Sequence, residues 1–97
     1  MKLECLILNI VPYGPKDDKG IGMNSIIQFI PYKTAPKDTE KSKGYFISYD
    51  VLYESNNMCL FQKISVDDIL RPCVITIEPT LSPTGKVTKK IVDLKFN

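Results

Sequence analysis

The 97-residue chain contains no histidine, and so lacks the commonest general base and the commonest metal ligand in proteins. Without an imidazole, no serine or cysteine can form a histidine-activated nucleophile. Two adjacent carboxylate pairs are present, Asp17–Asp18 and Asp67–Asp68, and we interpret them as a polar loop and a helix start. The sequence has no phosphate-binding loop and no G-x-S-x-G or H-E-x-x-H motif. It therefore predicts a protein that is not an enzyme and that uses neither a metal nor a cofactor.

Long apolar runs and paired cysteines are also missing. No segment approaches the ~20 apolar residues of a membrane-spanning helix, and a short apolar run near the N-terminus is interrupted by Glu4 and Asn9. Cys5, Cys59 and Cys73 are odd in number and lack a metal-ligand spacing such as C-x-x-C. We interpret them as small buried hydrophobic residues. These features predict a cytoplasmic protein with no membrane partner.

The rest of the sequence alternates short apolar segments with breaks rich in proline and glycine. This pattern predicts strands at about 2–11, 23–33, 45–54, 58–64, 73–78 and 86–96, and one short helix at 65–70. Residues 12–22 contain two prolines and three glycines, so we expect no regular structure there. The first strand has apolar residues on both faces, which indicates a bent central strand.

Turn residues between neighbouring segments predict two hairpins. One joins 45–54 to 58–64, and the other joins 73–78 to 86–96. The expected fold class is all-β, with a single domain over residues 1–97. Its architecture is a small OB-like Greek-key barrel of five to six strands with at most one short helix.

Positive charge is concentrated in loops, although the formal net charge is only +2. The loop at 33–44 is rich in lysine and leads into a strand-like segment that begins at Tyr45. Lysines also follow Tyr13 and cluster at 86–90. Cations beside aromatic rings suit a single nucleic-acid strand, because lysines contact phosphates and rings stack on bases. The candidate nucleic-acid-binding residues are Tyr13, Lys16, Lys19, Tyr32, Lys33, Lys37, Lys41, Lys43, Tyr45, Tyr49 and Lys86.

The tyrosines of the third predicted strand allow two interpretations. Tyr45, Tyr49 and Tyr53 share one face, because side chains alternate along a strand. Ile47 and Val51 lie between them, which favours a face directed into the core. Alternatively, the first two tyrosines emerge at the barrel rim beside the lysine loop. Tyr53 lies farther along the strand and is left out of the candidate set.

The chain resembles the filamentous-phage-type single-stranded-DNA-binding proteins. The likeness lies in its length, its early first strand, its lysine-bearing loops next to tyrosines and its closing hairpin. It implies an OB-fold protein of phage or plasmid origin that acts in DNA replication. Such a protein binds single-stranded DNA, with RNA as the second choice, and has no sequence preference. The resemblance further implies a homodimer with host replication or recombination proteins as additional partners.

A second interpretation stays open at this point. The chain also fits a small phage or plasmid accessory protein that docks on another protein and binds no nucleic acid. Tyrosines are enriched at the energetic centres of protein interfaces, and open sheet edges accept strands from partners.

Overall fold

A computed structural model describes residues 1–32, 35–44, 49–55 and 58–97 of the protein. Its strands are β1 (Lys2–Lys16), β2 (Gly22–Pro31), β3 (Lys37–Asp38), β4 (Lys43–Gly44), β5 (Asp50–Glu54), β6 (Pro72–Leu81) and β7 (Val87–Phe96). A short helix α1 (Leu60–Lys63) and a 3₁₀ turn (Val66–Asp68) lie between β5 and β6. Within the described ranges, no helix has the length and apolar character needed to cross a membrane.

Five strands close into a barrel in the order β1-β2-β5-β7-β6. Neighbouring barrel strands run antiparallel, except that β5 and β7 are parallel. The helical segment precedes β6, which is the fourth barrel strand in chain order. This strand order and helix position are those of a small OB-like barrel, and they confirm the fold class predicted from the sequence.

The barrel interior is filled by residues that alternate with outward-facing ones along each strand. The buried hydrophobic residues are Cys5, Ile7, Ile27, Phe29, Leu60, Ile64, Cys73, Ile75, Ile77 and Ile91. Cys5 and Cys73 are paired across β1 and β6, and their Sγ atoms lie 3.6 Å apart. Both are core residues, as predicted, whereas Cys59 is only partly buried.

A shift in the pairing of β1 decides which of its residues face outward. Cys5 and Ile7 are fully buried, but the register with β2 shifts between Ile7 and Asn9. Beyond the shift, Ile10 packs against the core and Val11 is exposed. Alternation then turns Tyr13 to the same outer side as Val11. β1 is therefore bent, as its two apolar faces predicted.

The prediction of an irregular segment at residues 12–22 holds for 17–21, which form the turn between β1 and β2, and is wrong for 12–16 and 22. β1 continues through Pro12 and Pro15, and β2 already begins at Gly22. β6 pairs with β1 only as far as Leu6. The prolines therefore lie where one edge of β1 has left the ladder with β6, and a missing N–H is tolerated there. A Cβ on Gly22 would lie 2.5 Å from the backbone oxygen of Tyr13, so only glycine fits this close approach.

The strand predicted at 58–64, and its hairpin with 45–54, are also wrong. The chain forms α1 there, because barrel side chains satisfy its first N–H groups. The Leu60 N–H donates to Glu54 Oε1 at 3.2 Å, and the Phe61 N–H donates to Ser25 Oγ at 3.0 Å. These acceptors lie on β5 and β2, outside the segment 58–64, so the sequence pattern of that segment did not reveal them. β5 pairs with β2 and β7 instead.

The last third of the chain follows the predictions closely. The Ser65 N–H donates to Asp68 Oδ2 at 3.1 Å, which caps the 3₁₀ turn inside the predicted helix at 65–70. β6 and β7 form the predicted antiparallel hairpin, and it extends to the pair Leu81–Val87. β6 is therefore longer than the predicted strand at 73–78.

Candidate functional site

Outward side chains of four barrel strands form one continuous surface. Strand pairing places Val11 beside Ile26, Ile26 beside Tyr53, and Tyr53 beside Lys90. Paired residues on neighbouring strands point to the same face, so this row crosses β1, β2, β5 and β7. We call the surface the outer aromatic face, and it consists of Val11, Tyr13, Ile26, Val51, Tyr53 and Lys90.

Two tyrosine rings meet in the outer aromatic face. The ring centroids of Tyr13 and Tyr53 are 4.9 Å apart, and the ring planes are inclined by 57°, a tilted geometry that aromatic pairs prefer. Tyr53 remains 46% exposed, whereas Tyr13 is half-buried. Burial raises the pKa of the Tyr13 hydroxyl, and the nearby Tyr53 and Glu54 raise it further. Near neutral pH the Tyr13 ring is therefore uncharged.

The interpretation that the odd-numbered face of the third predicted strand points into the core is wrong for its described part. Val51 is 44% exposed and Tyr49, just before β5, is 56% exposed. The even-numbered Leu52 and Glu54 face inward instead, with Leu52 packed against the core and Glu54 buried. The number of apolar residues on each face favoured burial of the odd-numbered face. The even-numbered face points inward instead, although it includes the carboxyl group of Glu54.

Glu54 fixes the orientation of β5. Its side chain is buried, and Oε1 accepts the N–H of Leu60 at the start of α1. Its Oε2 atom has no hydrogen-bond partner in the described part of the chain. Since this carboxylate must point inward to reach α1, the adjacent Tyr53 must point outward.

A groove opens beside Tyr53, where β5 and β7 separate. The described residues of these strands pair only at Tyr53–Lys90 and Glu54–Ile91. Toward the beginning of both strands lies a groove of about 270 Å³, and its lining residues are Val51, Leu52, Tyr53, Thr88, Lys89 and Lys90. The lining combines apolar side chains with two lysines.

Lys16 and Lys19 lie exposed at the tip of the β1–β2 hairpin. Asp17 organises this turn, because its Oδ1 atom accepts the N–H groups of Lys19 at 2.9 Å and Ile21 at 3.0 Å. Its Oδ2 atom accepts a 2.6 Å hydrogen bond from Gln62 Nε2. The Ile21 N–H, followed by these other donors, holds the pKa of Asp17 below its ordinary value. Residues 16–19 contain two lysines and two aspartates, so the formal net charge of this turn is zero.

Lys37, Lys41 and Lys43 lie on a small arm formed by β3 and β4 between β2 and β5. All three are exposed. Lys43 Nζ is 3.9 Å from Asp38 Oδ1, and ion pairs this exposed contribute little. The three ammonium groups are therefore accessible to an anionic partner.

The other predicted site residues are spread around the barrel. Lys86 is exposed in the β6–β7 turn, Tyr32 is half-buried after β2, and Tyr49 is exposed before β5. Lys33 and Tyr45 lie outside the described residues. Among the predicted residues, Tyr13 belongs to the outer aromatic face itself.

Loops that carry lysines flank the outer aromatic face at its two ends. Because β5 runs antiparallel to β2 and parallel to β7, the β1–β2 turn extends beyond the Tyr53 end of β5. The β3–β4 arm and the β6–β7 turn extend beyond the Asp50 end. At ~3.3 Å per residue, these two ends of β5 are about 10 Å apart. The face is thus short and has cations at both ends.

Sequence reasoning missed Val11, Tyr53 and Lys90 as members of one surface. Lys90 was noted only as part of a C-terminal lysine cluster, and Tyr53 was set aside as too distant from the lysine loop. What joins them is strand register, including a parallel pair between β5 and β7. The one available signal was Tyr13, whose loop already combined an aromatic ring with lysines.

Comparisons with known protein families, curated proteins and solved structures find no significant match for this chain.

Proposed function

We propose that this protein binds single-stranded nucleic acid, with DNA as the first choice, through the outer aromatic face. The observation that supports the proposal is the Tyr13–Tyr53 ring pair, which lies on the outside of an OB-like barrel rather than in its core. The outer surface of such barrels is where oligonucleotides bind. Stacking one base on an aromatic ring contributes about 1–3 kcal/mol.

Charge supports the same proposal. Lys90 is paired with Tyr53 across β7 and β5, so a lysine belongs to the same face as an exposed ring. Exposed lysines at both ends of the face supply further contacts for the phosphates on either side of a stacked base. Ring stacking and phosphate contacts distinguish little between bases, which favours sequence-tolerant binding. Homodimer formation, phage or plasmid origin and contacts with host proteins stay predictions from the sequence.

A second function, docking on another protein, is favoured by a different surface. At the end of the β6–β7 hairpin, Leu81 and Val87 are paired across the strands and are 73% and 66% exposed. Neighbouring exposed apolar side chains of this kind occur at protein interfaces. Because this pair lies outside the outer aromatic face, substitutions separate the two functions.

Tyrosine fluorescence tests the proposal, since the chain has no tryptophan. Titration with oligo(dT) at low and moderate salt should quench the fluorescence, and the affinity should fall as salt rises. Tyr53→Leu removes one ring while keeping an apolar side chain, and it should weaken binding about 5- to 150-fold. Val87→Thr is the control on the other surface and should leave the affinity unchanged.

The lysine arm gives a second readout in the same titration. Replacing Lys37, Lys41 and Lys43 together by alanine should flatten the slope of log affinity against log salt by about 2, at ~0.7 per phosphate contact. An unchanged slope would remove the arm from the site. Absence of oligo(dT) binding at low salt would contradict the proposed function and leave protein docking.

A further inference from the structure

The groove between β5 and β7 exposes backbone as well as side chains. The Ser55 N–H donates to the Ile91 carbonyl at 2.8 Å, so the backbone groups of residue 55 face β7. Along a strand, the backbone N–H and carbonyl groups of successive residues point to opposite sides. The N–H and carbonyl groups of Tyr53 and Val51 therefore face β7 as well. Tyr53 pairs with Lys90, but the ladder does not continue to Val51. Val51 pairs with Gln28 of β2 on its other side, but within the described ranges it has no partner on β7, so its N–H and carbonyl face the groove.

The chemistry of the groove suits a flat heterocycle with polar edges. Val51, Leu52 and Tyr53 give apolar contact, and the Val51 backbone adds a donor and an acceptor. The Thr88 hydroxyl shares a hydrogen bond with Thr80 Oγ1 at 3.2 Å and keeps acceptor capacity for a ligand. Its volume of about 270 Å³ is just under the ~300–1,000 Å³ of ordinary ligand pockets. The groove is therefore sized for one ring system rather than for a whole cofactor.

Charge at the groove edge indicates what the ring is attached to. Lys89 and Lys90 line the groove, and Lys90 also stands beside Tyr53 on the outer aromatic face. A purely apolar ligand forms no ionic contact with two ammonium groups. A base carried on a phosphate chain uses both the apolar floor and the cations.

We propose that this groove is a base-selective subsite, in which one nucleobase of a bound single strand inserts between β5 and β7. This inference rests on the proposed function and adds to it. Stacking on the outer aromatic face accepts any base, whereas hydrogen bonds from the Val51 backbone and Thr88 discriminate between base edges. The protein then has a measurable preference at one position of the strand. One hydrogen bond contributes about 0.5–1.5 kcal/mol, which corresponds to a two- to tenfold preference.

Two threonine variants isolate the subsite. Thr88 and Thr80 are cross-strand partners with their Oγ1 atoms 3.2 Å apart, and only Thr88 lines the groove between β5 and β7. Thr88→Phe fills the groove from an exposed position. Thr80→Val breaks the same hydroxyl contact and leaves the groove open. Thermal unfolding of both variants checks that the barrel is intact.

The measurement compares the affinities of short dT, dC and dA homopolymers at one salt concentration. We expect the wild type and Thr80→Val to prefer one homopolymer about two- to tenfold. Thr88→Phe should bring the three affinities together without changing the salt slope. Equal affinities in the wild type would overturn the subsite and leave the proposed function standing. A preference that survives in Thr88→Phe comes from stacking elsewhere and would also overturn it. If no homopolymer binds, the proposed function fails and the subsite fails with it.

Discussion

The two faces of β5 differ in their exposure to solvent, and residues of the two faces alternate along the five positions of the strand. Val51 and Tyr53 are exposed on the outer aromatic face, whereas Leu52 and Glu54 face the barrel interior. The inward residues hold the barrel and α1 together, and the outward residues are open to solvent. The exposed apolar side chains of this strand are therefore not core residues. Their outward orientation is fixed by the inward residues of the same strand, which pack in the barrel interior.

The largest expected effect tests the inner side of this comparison. Ile27 is fully buried on β2 and pairs with Leu52. Ile27→Ala should lower the free energy of unfolding by about 2–5 kcal/mol, because it removes buried contacts and leaves a cavity. Val51→Ala, on the outward side, should change it by about 0.5 kcal/mol or less. Urea unfolding followed by circular dichroism measures both, and similar losses would break the distinction between the faces.

Glu54 provides a smaller and more specific test. Glu54→Ala leaves the Leu60 N–H without its acceptor, and the loss should be about 1–3 kcal/mol. Glu54→Gln keeps an oxygen for that N–H in a side chain of the same size, so it should retain most of the stability. Urea unfolding of the two variants side by side measures the difference. If glutamine destabilises as much as alanine, the carboxylate has another role than holding α1.

The smallest expected effect is a pH dependence in the ring pair. The pKa of Tyr13 is raised above its ordinary value of 10.0, chiefly by burial. The folded state therefore holds this proton more tightly than the unfolded state does. The resulting stability is fully present below pH 10.0 and is lost as the pH rises through the folded-state pKa. Tyr13→Phe has no hydroxyl to titrate, so its unfolding free energy should fall less above pH 10.0 than that of the wild type. Equal losses would show that other groups cause the effect.

The fold was predictable where local patterns carry it. The β6–β7 hairpin, the capped turn at Ser65 and the bend in β1 all follow from residues close together in the sequence. Prediction failed where the deciding partner is distant. The first turn of α1 depends on Ser25, which is 36 residues from Phe61 in the sequence.

The candidate site was predictable in kind but not in place. Lysine-bearing loops and nearby tyrosines predicted a surface that combines rings with cations, and Tyr13 lies on the outer aromatic face. The orientation of β5 was not, because the inward position of Glu54 breaks the rule that the apolar face is the buried one. The contact between the Tyr13 and Tyr53 rings results from the pairing of β1, β2 and β5, and no nearby residues in the sequence indicate it.

Mapping the binding surface on the folded protein tests most directly whether the outer aromatic face binds single-stranded nucleic acid. Isotope-labelled protein titrated with oligo(dT) should show the largest amide shift changes in NMR spectra at Val11, Tyr13, Ile26, Val51 and Tyr53. The amides of Leu81 and Val87 should stay unchanged. Changes centred on Leu81 and Val87, or no changes at all, would contradict the claim that the outer aromatic face binds single-stranded nucleic acid.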